Sequence, residues 1–237
     1  MSVQFKISAK NLGELALPTF CPYCFWVKQR IKNKLPYQIF PGVFSSIDSY
    51  TKDIVHTWFD THTEALPWLN PVGDIVKVKD SPHFSKFFIE DAELNTKLNG
   101  TPDDIFLLRD GSHAIVDYKT ARLTGMADEL FPMYEIQLNA YALIGKARGF
   151  DPVSKLALIY MEPMSLEEIQ GENKHNREEG FNMVFSAKVM PVEIDARKVK
   201  PLLKKARKIF DMEEPPEGGS ECKDCEKLTE LVNTCKL

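Results

Sequence analysis

The sequence predicts a mixed α/β fold, with a central sheet and helices packed on it, and three stretches carry that prediction. Asp104–Leu108 and Ala114–Tyr118 are short apolar runs joined by the turn signal Arg109-Asp110-Gly111-Ser112, and together they read as a β-hairpin. Phe131–Arg148 follows as a helix, with Ile136, Ala140, Leu143 and Ile144 along one side. Lys155–Met161 and Phe181–Ile194 read as further strands, the second after a polar loop around Gly171–Gly180.

Upstream, Ser45–Thr61 is expected to be helical, because Ile47, Tyr50, Ile54, Val55, Trp58 and Phe59 recur at helical spacing. Phe25–Lys34 mixes aromatic and basic residues and can continue as a short helix after Cys24, while Pro67–Pro82 reads as irregular. Asp195 can cap a last helix, in which Val199, Leu202, Leu203, Ala206, Ile209 and Phe210 form one stripe. Pro201 either kinks that helix or marks its true start, and Pro215-Pro216-Glu217-Gly218-Gly219 ends it. Opposite the stripe crowd Arg197, Lys198, Lys200, Lys204, Lys205, Arg207 and Lys208. They read either as a solvated face or as a phosphate-contacting surface, to which Lys28, Arg30, Lys32 and Lys34 can add. Without an internal repeat, low-complexity tract or obvious linker, residues 1–237 are read as one domain.

Composition bounds the function classes. A chain of 237 residues, 43% hydrophobic and 27% charged, has ordinary globular composition and enough length to bury a core. No apolar run approaches the roughly 18–20 residues needed to span a bilayer. The N-terminal MSVQFKISAKNLGELALP has no continuous apolar segment of a secretory signal, so a cytoplasmic, membrane-free protein is expected. The net charge of −4 weighs against a pure DNA-binding module, whose footprint is strongly basic. An enzyme whose acidic metal site offsets basic residues elsewhere remains compatible with it.

The hairpin holds the chemistry. Asp117 and Lys119 are two apart on a strand, so both side chains leave the same face. Asp103 or Asp104 opens the neighbouring strand and lies beside them across the hairpin. Two carboxylates and a lysine thus converge at one sheet edge. Hard oxygen ligands in such an arrangement suit Mg²⁺ or Mn²⁺. The lysine can orient or deprotonate an attacking water and stabilise charge developing on a phosphate.

The five cysteines fall at the two ends, Cys21 and Cys24 near the start and Cys222, Cys225 and Cys235 near the finish. In a chain without a secretory signal, two distant Cys-x-x-Cys pairs suggest metal ligation before disulfides. Cys21, Cys24, Cys222 and Cys225 make a four-thiolate set suited to Zn²⁺ or to an iron–sulfur cluster, and spacing does not choose between them.

Gly100-Thr-Pro-Asp103, the hairpin, Val116-Asp-Tyr-Lys-Thr120 and Gln137-x-x-x-Tyr141 together resemble the RecB-like branch of the PD-(D/E)XK nucleases, from about Cys21 to Cys225. That branch includes the CRISPR-associated adaptation exonucleases and the AddB-type nuclease domains. The resemblance implies a restriction-endonuclease-like core and a Mg²⁺- or Mn²⁺-dependent nuclease acting on DNA, single-stranded or with free ends. It implies Asp103 as the first metal-binding carboxylate (Asp104 the alternative), Asp117 as the second and Lys119 as the catalytic lysine. The Tyr118 carbonyl would be a further ligand, and Gln137 and Tyr141 would contact the nucleic-acid strand. Where such proteins often place a ligating histidine, Asp48 aligns best and His56 is the rival. The resemblance also implies a [4Fe–4S] cluster clasping about 18–35 to about 215–237, with Zn²⁺ the alternative and Cys235 the rival to Cys24. Partners would come from a repair, recombination or CRISPR adaptation complex. The rival function is a catalytically silent nucleic-acid-binding subunit of a larger complex.

Overall fold

The computed structural model describes residues 3–31, 35, 41–123, 129–169, 176–219 and 222–235. Along the chain run β1 (Phe5–Ser8), α1 (Ala9–Gly13), α2 (Pro22–Arg30), α3 (Gly42–Thr61), β2 (Ile75–Lys79), β3 (Phe88–Asp91), β4 (Thr96–Asn99) and β5 (Asp104–Leu108). They are followed by β6 (His113–Lys119), α4 (Phe131–Ala147), β7 (Val153–Pro163), β8 (Asn176–Arg177), β9 (Gly180–Phe181), β10 (Phe185–Val192), α5 (Val199–Phe210) and α6 (Lys223–Thr234). The fold is mixed α/β, as expected from the sequence. A five-stranded sheet has the order β10-β7-β6-β5-β2, a three-stranded sheet the order β1-β4-β3, and β8 and β9 form a small ribbon.

The expected hairpin forms from β5 and β6, with Ile105 opposite Ile115 and Asp104 opposite Val116. Its turn needs a glycine, because Gly111 has φ of 83°. The Asp110 carboxylate accepts from the Ser112 N–H at 2.9 Å and closes the turn. Strands β6 and β7 are parallel, so the chain must cross over between them, and α4 makes the crossover.

Because β6 is paired on both sides and covered on both faces, His113–Tyr118 are all buried and read as one apolar run. Alternation then sorts the side chains. Ile105, Ile115, Leu156 and Leu158 join Ile136, Leu138 and Ile144 of α4 in one core, together with Phe5 and Leu203. Phe106, Ala114, Val116 and Ile159 join Val55 of α3 and Leu69 in the other. The same alternation sends Asp117 and Lys119 toward α4, and Asp104 and Tyr118 toward α3.

Some sequence expectations need correction. Pro67–Pro82 is not irregular: it holds a 3-10 turn, Pro67–Val72, and the strand β2. Ile75-Val-Lys-Val-Lys79 is a lysine-bearing edge strand whose short alternation is interrupted on either side by prolines. Phe181–Ile194 is two strands, Gly180–Phe181 and Phe185–Val192. The helix expected over Phe25–Lys34 runs Pro22–Arg30, and Lys32 and Lys34 lie outside the described residues, as do residues 170–175 of the polar loop. Asp195 caps as expected, accepting from the Arg197 N–H, and a 3-10 turn over Ala196–Lys198 runs into α5. Pro201 therefore stands in the first turn of α5, where its missing N–H costs no hydrogen bond. Among the described residues, no helix is long and apolar enough to cross a membrane.

Candidate functional site

Strand β6 delivers Asp117, Tyr118 and Lys119 to one end of the large sheet, beside the start of β5. Asp117 is 4% exposed. Its Oδ1 accepts from Gln137 Nε2 at 3.0 Å, and the same amide nitrogen donates to the Tyr141 hydroxyl at 2.9 Å. The i, i+4 spacing on α4 thus aims both polar side chains at the strand. Lys119 Nζ pairs with Asp117 Oδ2 and stands 4.2 Å from the centre of the Tyr134 ring. Asp103 Oδ2 accepts from the Tyr118 N–H at 2.7 Å. Its Oδ1 meets Lys52 Nζ at 2.7 Å, and that ammonium also holds Asp48 at 2.8 Å. Asp48, Asp103, Asp117, Lys119, Gln137 and Tyr141 share a cavity of about 550 Å³. A Cβ on Gly100 would collide with the Tyr141 ring, which explains a residue without a side chain three places before Asp103.

The electrostatics are those of a site short of positive charge. Three carboxylates (Asp48, Asp103 and Asp117) face two ammonium groups, those of Lys52 and Lys119. Burial and then the Asp117 charge push the Asp103 carboxyl up to about 7, against the pull of Lys52. Burial opposes the charge on Lys119, yet the Asp117 carboxylate prevails and holds its pKa above the ordinary value. Lys52 is raised in the same way, by Asp103 and then Asp48, despite its burial. Gln137 Oε1 is buried without a hydrogen-bond partner among the described residues, and Asp117 Oδ2 is buried beside the Lys119 ammonium. A hard-oxygen donor set in which carboxylates outnumber ammonium groups, with a buried amide oxygen left unpartnered beside it, fits a divalent cation such as Mg²⁺ or Mn²⁺.

The structure separates the paired candidates. Asp103 shares the cavity with Asp117 and Lys119, whereas Asp104 is 0% exposed on the other face. There Asp104 Oδ2 accepts from the Tyr118 hydroxyl at 2.7 Å, and Oδ1 meets His56 Nε2 at 2.6 Å. Asp48 lines the cavity, and His56 is engaged with Asp104 instead. Sequence reasoning overlooked Lys52 and Tyr134. The signal for Lys52 was present, since it stands one helical turn after Asp48. Asp104→Ala should leave the buried Tyr118 hydroxyl without an acceptor. The expected loss is about 1–3 kcal/mol of folding stability, read as a lower urea midpoint, and an unchanged midpoint would contradict the assignment of Asp104 as the anchor of Tyr118.

Outside this cavity, Cys21, Cys24, Cys222 and Cys225 converge, their sulfurs all within 4.8 Å of one another, a group able to hold a metal. Cys235 is exposed and outside the group. The basic helix is largely occupied locally. Lys198 pairs with Glu135, Lys200 with Glu93, Arg207 with Asp211 and Arg197 with Asp195. None of the basic residues of α5 lines the cavity.

Residues 50–228 match the family model described as PD-(D/E)XK nuclease superfamily. No curated protein matches. Among solved structures, the crystal structure of SSO0001 is similar at 13% identity and a TM-score of 0.47, covering 91% of this chain and 80% of that one.

Proposed function

Because this chain belongs to the PD-(D/E)XK nuclease superfamily, we propose that it is a Mg²⁺- or Mn²⁺-dependent deoxyribonuclease of the RecB-like branch, hydrolysing phosphodiester bonds in single-stranded or free-ended DNA. The mixed α/β architecture agrees with a restriction-endonuclease-like core. The observation that carries the proposal is the gathering of Asp103, Asp117 and Lys119 around one cavity with Gln137 and Tyr141. Residues 1–237 are taken as a single nuclease domain.

Asp103 and Asp117 would hold the ion, helped by Asp48 and the Tyr118 carbonyl. The bound ion supplies Lewis-acid polarisation of a phosphoryl oxygen and a water of lowered pKa. Lys119, kept charged beside Asp117, orients the attacking water and offers a proton donor to the phosphate oxygen that gains charge. Gln137 holds Asp117 in position through its amide, and Gln137 and Tyr141 border the strand. Lys52 balances the charge of Asp48 and Asp103. The four cysteines act in structure, not in the reaction. The resemblance implies a [4Fe–4S] cluster for them, with Zn²⁺ as the other occupant.

The test is cleavage of 5′- and 3′-labelled single strands and duplexes in Mg²⁺ and in Mn²⁺. Wild-type protein should degrade single strands, and Asp48→Ala should lose most activity together with metal affinity. His56→Ala should be mild, because His56 meets Asp104 and lies outside the cavity. The reverse ranking would remove Asp48 from the site. Strand binding without cleavage in either metal would instead favour a silent nucleic-acid-binding subunit.

A further inference from the structure

We infer that the four cysteines form the seat of a single tetrahedral Zn²⁺ ion, and that they do not fit the [4Fe–4S] cluster implied by the resemblance. This goes beyond the nuclease reading and is independent of it. The dimensions carry the inference. Cys21 Sγ lies 3.3 Å from Cys225 Sγ, and Cys24 Sγ lies 3.4 Å from Cys225 Sγ and 3.7 Å from Cys222 Sγ. The remaining separations stay within 4.8 Å. Four thiolates around one Zn²⁺, each bonded at about 2.3 Å, stand about 3.8 Å apart along the edges of a tetrahedron. The three separations of 3.3, 3.4 and 3.7 Å lie just short of that edge. In a [4Fe–4S] centre each cysteine binds a different iron, so the thiolates stand outside a cage of irons and sulfides. Sulfurs already close to contact with one another enclose room for one ion and none for such a cage.

The surrounding backbone is built to the same scale. Cys21 and Cys222 are the N-caps of α2 and α6, with Cys24 and Cys225 in the first turns. Both helices therefore point their partly positive N-terminal ends at the sulfurs, which favours thiolates. The Gly219 N–H donates to Cys21 Sγ at 3.3 Å. A Cβ on Gly218 would stand 3.0 Å from Cys225 Sγ, so a residue without a side chain lets the chain lie against the sulfur group there. The ion has a mechanical task as well. Among the described residues of α6 only Leu228 is buried, so apolar packing alone holds this helix weakly. The ion clamps α6 to α2, which is itself fixed to the body by Trp26 Nε1 donating to the Met212 carbonyl at 2.9 Å.

The experiment is metal and acid-labile sulfide analysis of the full chain, purified anaerobically from medium supplying both iron and zinc. It is run beside Asp103→Asn/Asp117→Asn, in which the oxygen-ligand site is removed. One Zn²⁺ per chain, no sulfide and a colourless protein are expected from both. Cys235→Ser should keep the zinc and Cys24→Ser should lose it. Should Cys24→Ser not fold, Gly218→Ala serves instead, its methyl crowding Cys225 Sγ and weakening zinc in chelator competition by about tenfold or more. Stripping the ion should free α6 and expose residues 211–219 to protease. Stoichiometric iron, with or without sulfide, overturns the inference, as does metal-free protein of unchanged melting temperature and protease resistance. An inactive protein holding one Zn²⁺ would sink the nuclease proposal and leave this inference intact.

Discussion

Lys119→Ala should slow single-turnover cleavage by about 10²–10⁴-fold while divalent-ion and DNA affinity stay within a small factor of wild type. Lys119 sits at the end of β6 with Nζ against Asp117 Oδ2 and over the Tyr134 ring, a setting that keeps it charged. Its removal takes away a donor to the nucleophile and to the phosphate, but no oxygen ligand. Phosphate contacts elsewhere carry most of the strand affinity, so binding survives. Lys119→Arg should recover little, because a planar guanidinium cannot take the place of a compact ammonium in a buried cleft. Calorimetry with Mn²⁺, a gel shift and a single-turnover time course separate these effects. A wild-type rate would remove Lys119 from the chemistry. A parallel loss of ion affinity would mean that it only holds Asp117 in place.

Carboxylate loss is of a different kind, and pH exposes it. The Asp103 carboxyl is pushed from 3.8 up to about 7 by burial and by the neighbouring Asp117 charge. Between those values the folded chain holds a proton that the unfolded chain has released. Stability of the ion-free protein should therefore fall as pH rises from about 4 to 7, and level off above that. A divalent cation needs the ionised carboxyl, so its affinity should climb about tenfold per pH unit up to pH 7 and then flatten. With the ion bound, the repulsion is relieved and the stability loss should vanish. Asp103→Asn should flatten both profiles and abolish cleavage. Denaturant midpoints from pH 4 to 8, with and without Mn²⁺, check this, and an ion-free stability that rises over the window would contradict the placement of Asp103 beside Asp117.

The legible parts of the site were those that local periodicity governs. Asp117 and Lys119 share a face because a strand alternates, and Gln137 and Tyr141 share one because a helix returns after four residues. The choice between Asp103 and Asp104 was not legible, since each stands at the mouth of the same hairpin. It depends on what waits on either side of the sheet, the cavity beside α4 for one and the Tyr118 hydroxyl with His56 for the other. The three-stranded sheet escaped notice because its strands are four residues long, too short to show a period, and two of them pair in parallel from opposite sides of a long insertion. The cysteine pairs announced a shared centre, and the structure brings their four sulfurs together, but sequence spacing does not choose between one ion and a cluster.

The most direct measurement is single-turnover cleavage of a labelled single-stranded DNA in Mn²⁺ by wild-type protein and Asp117→Asn, purified identically. Asp117 is the residue on which Lys119 and Gln137 both converge, so its neutralisation removes a proposed ion ligand while nearly preserving shape. Wild-type protein should cleave, and Asp117→Asn should be indistinguishable from the protein-free control. Equal rates for the two proteins, or an inert wild type in both Mg²⁺ and Mn²⁺, would contradict a metal-dependent nuclease centred on Asp103, Asp117 and Lys119.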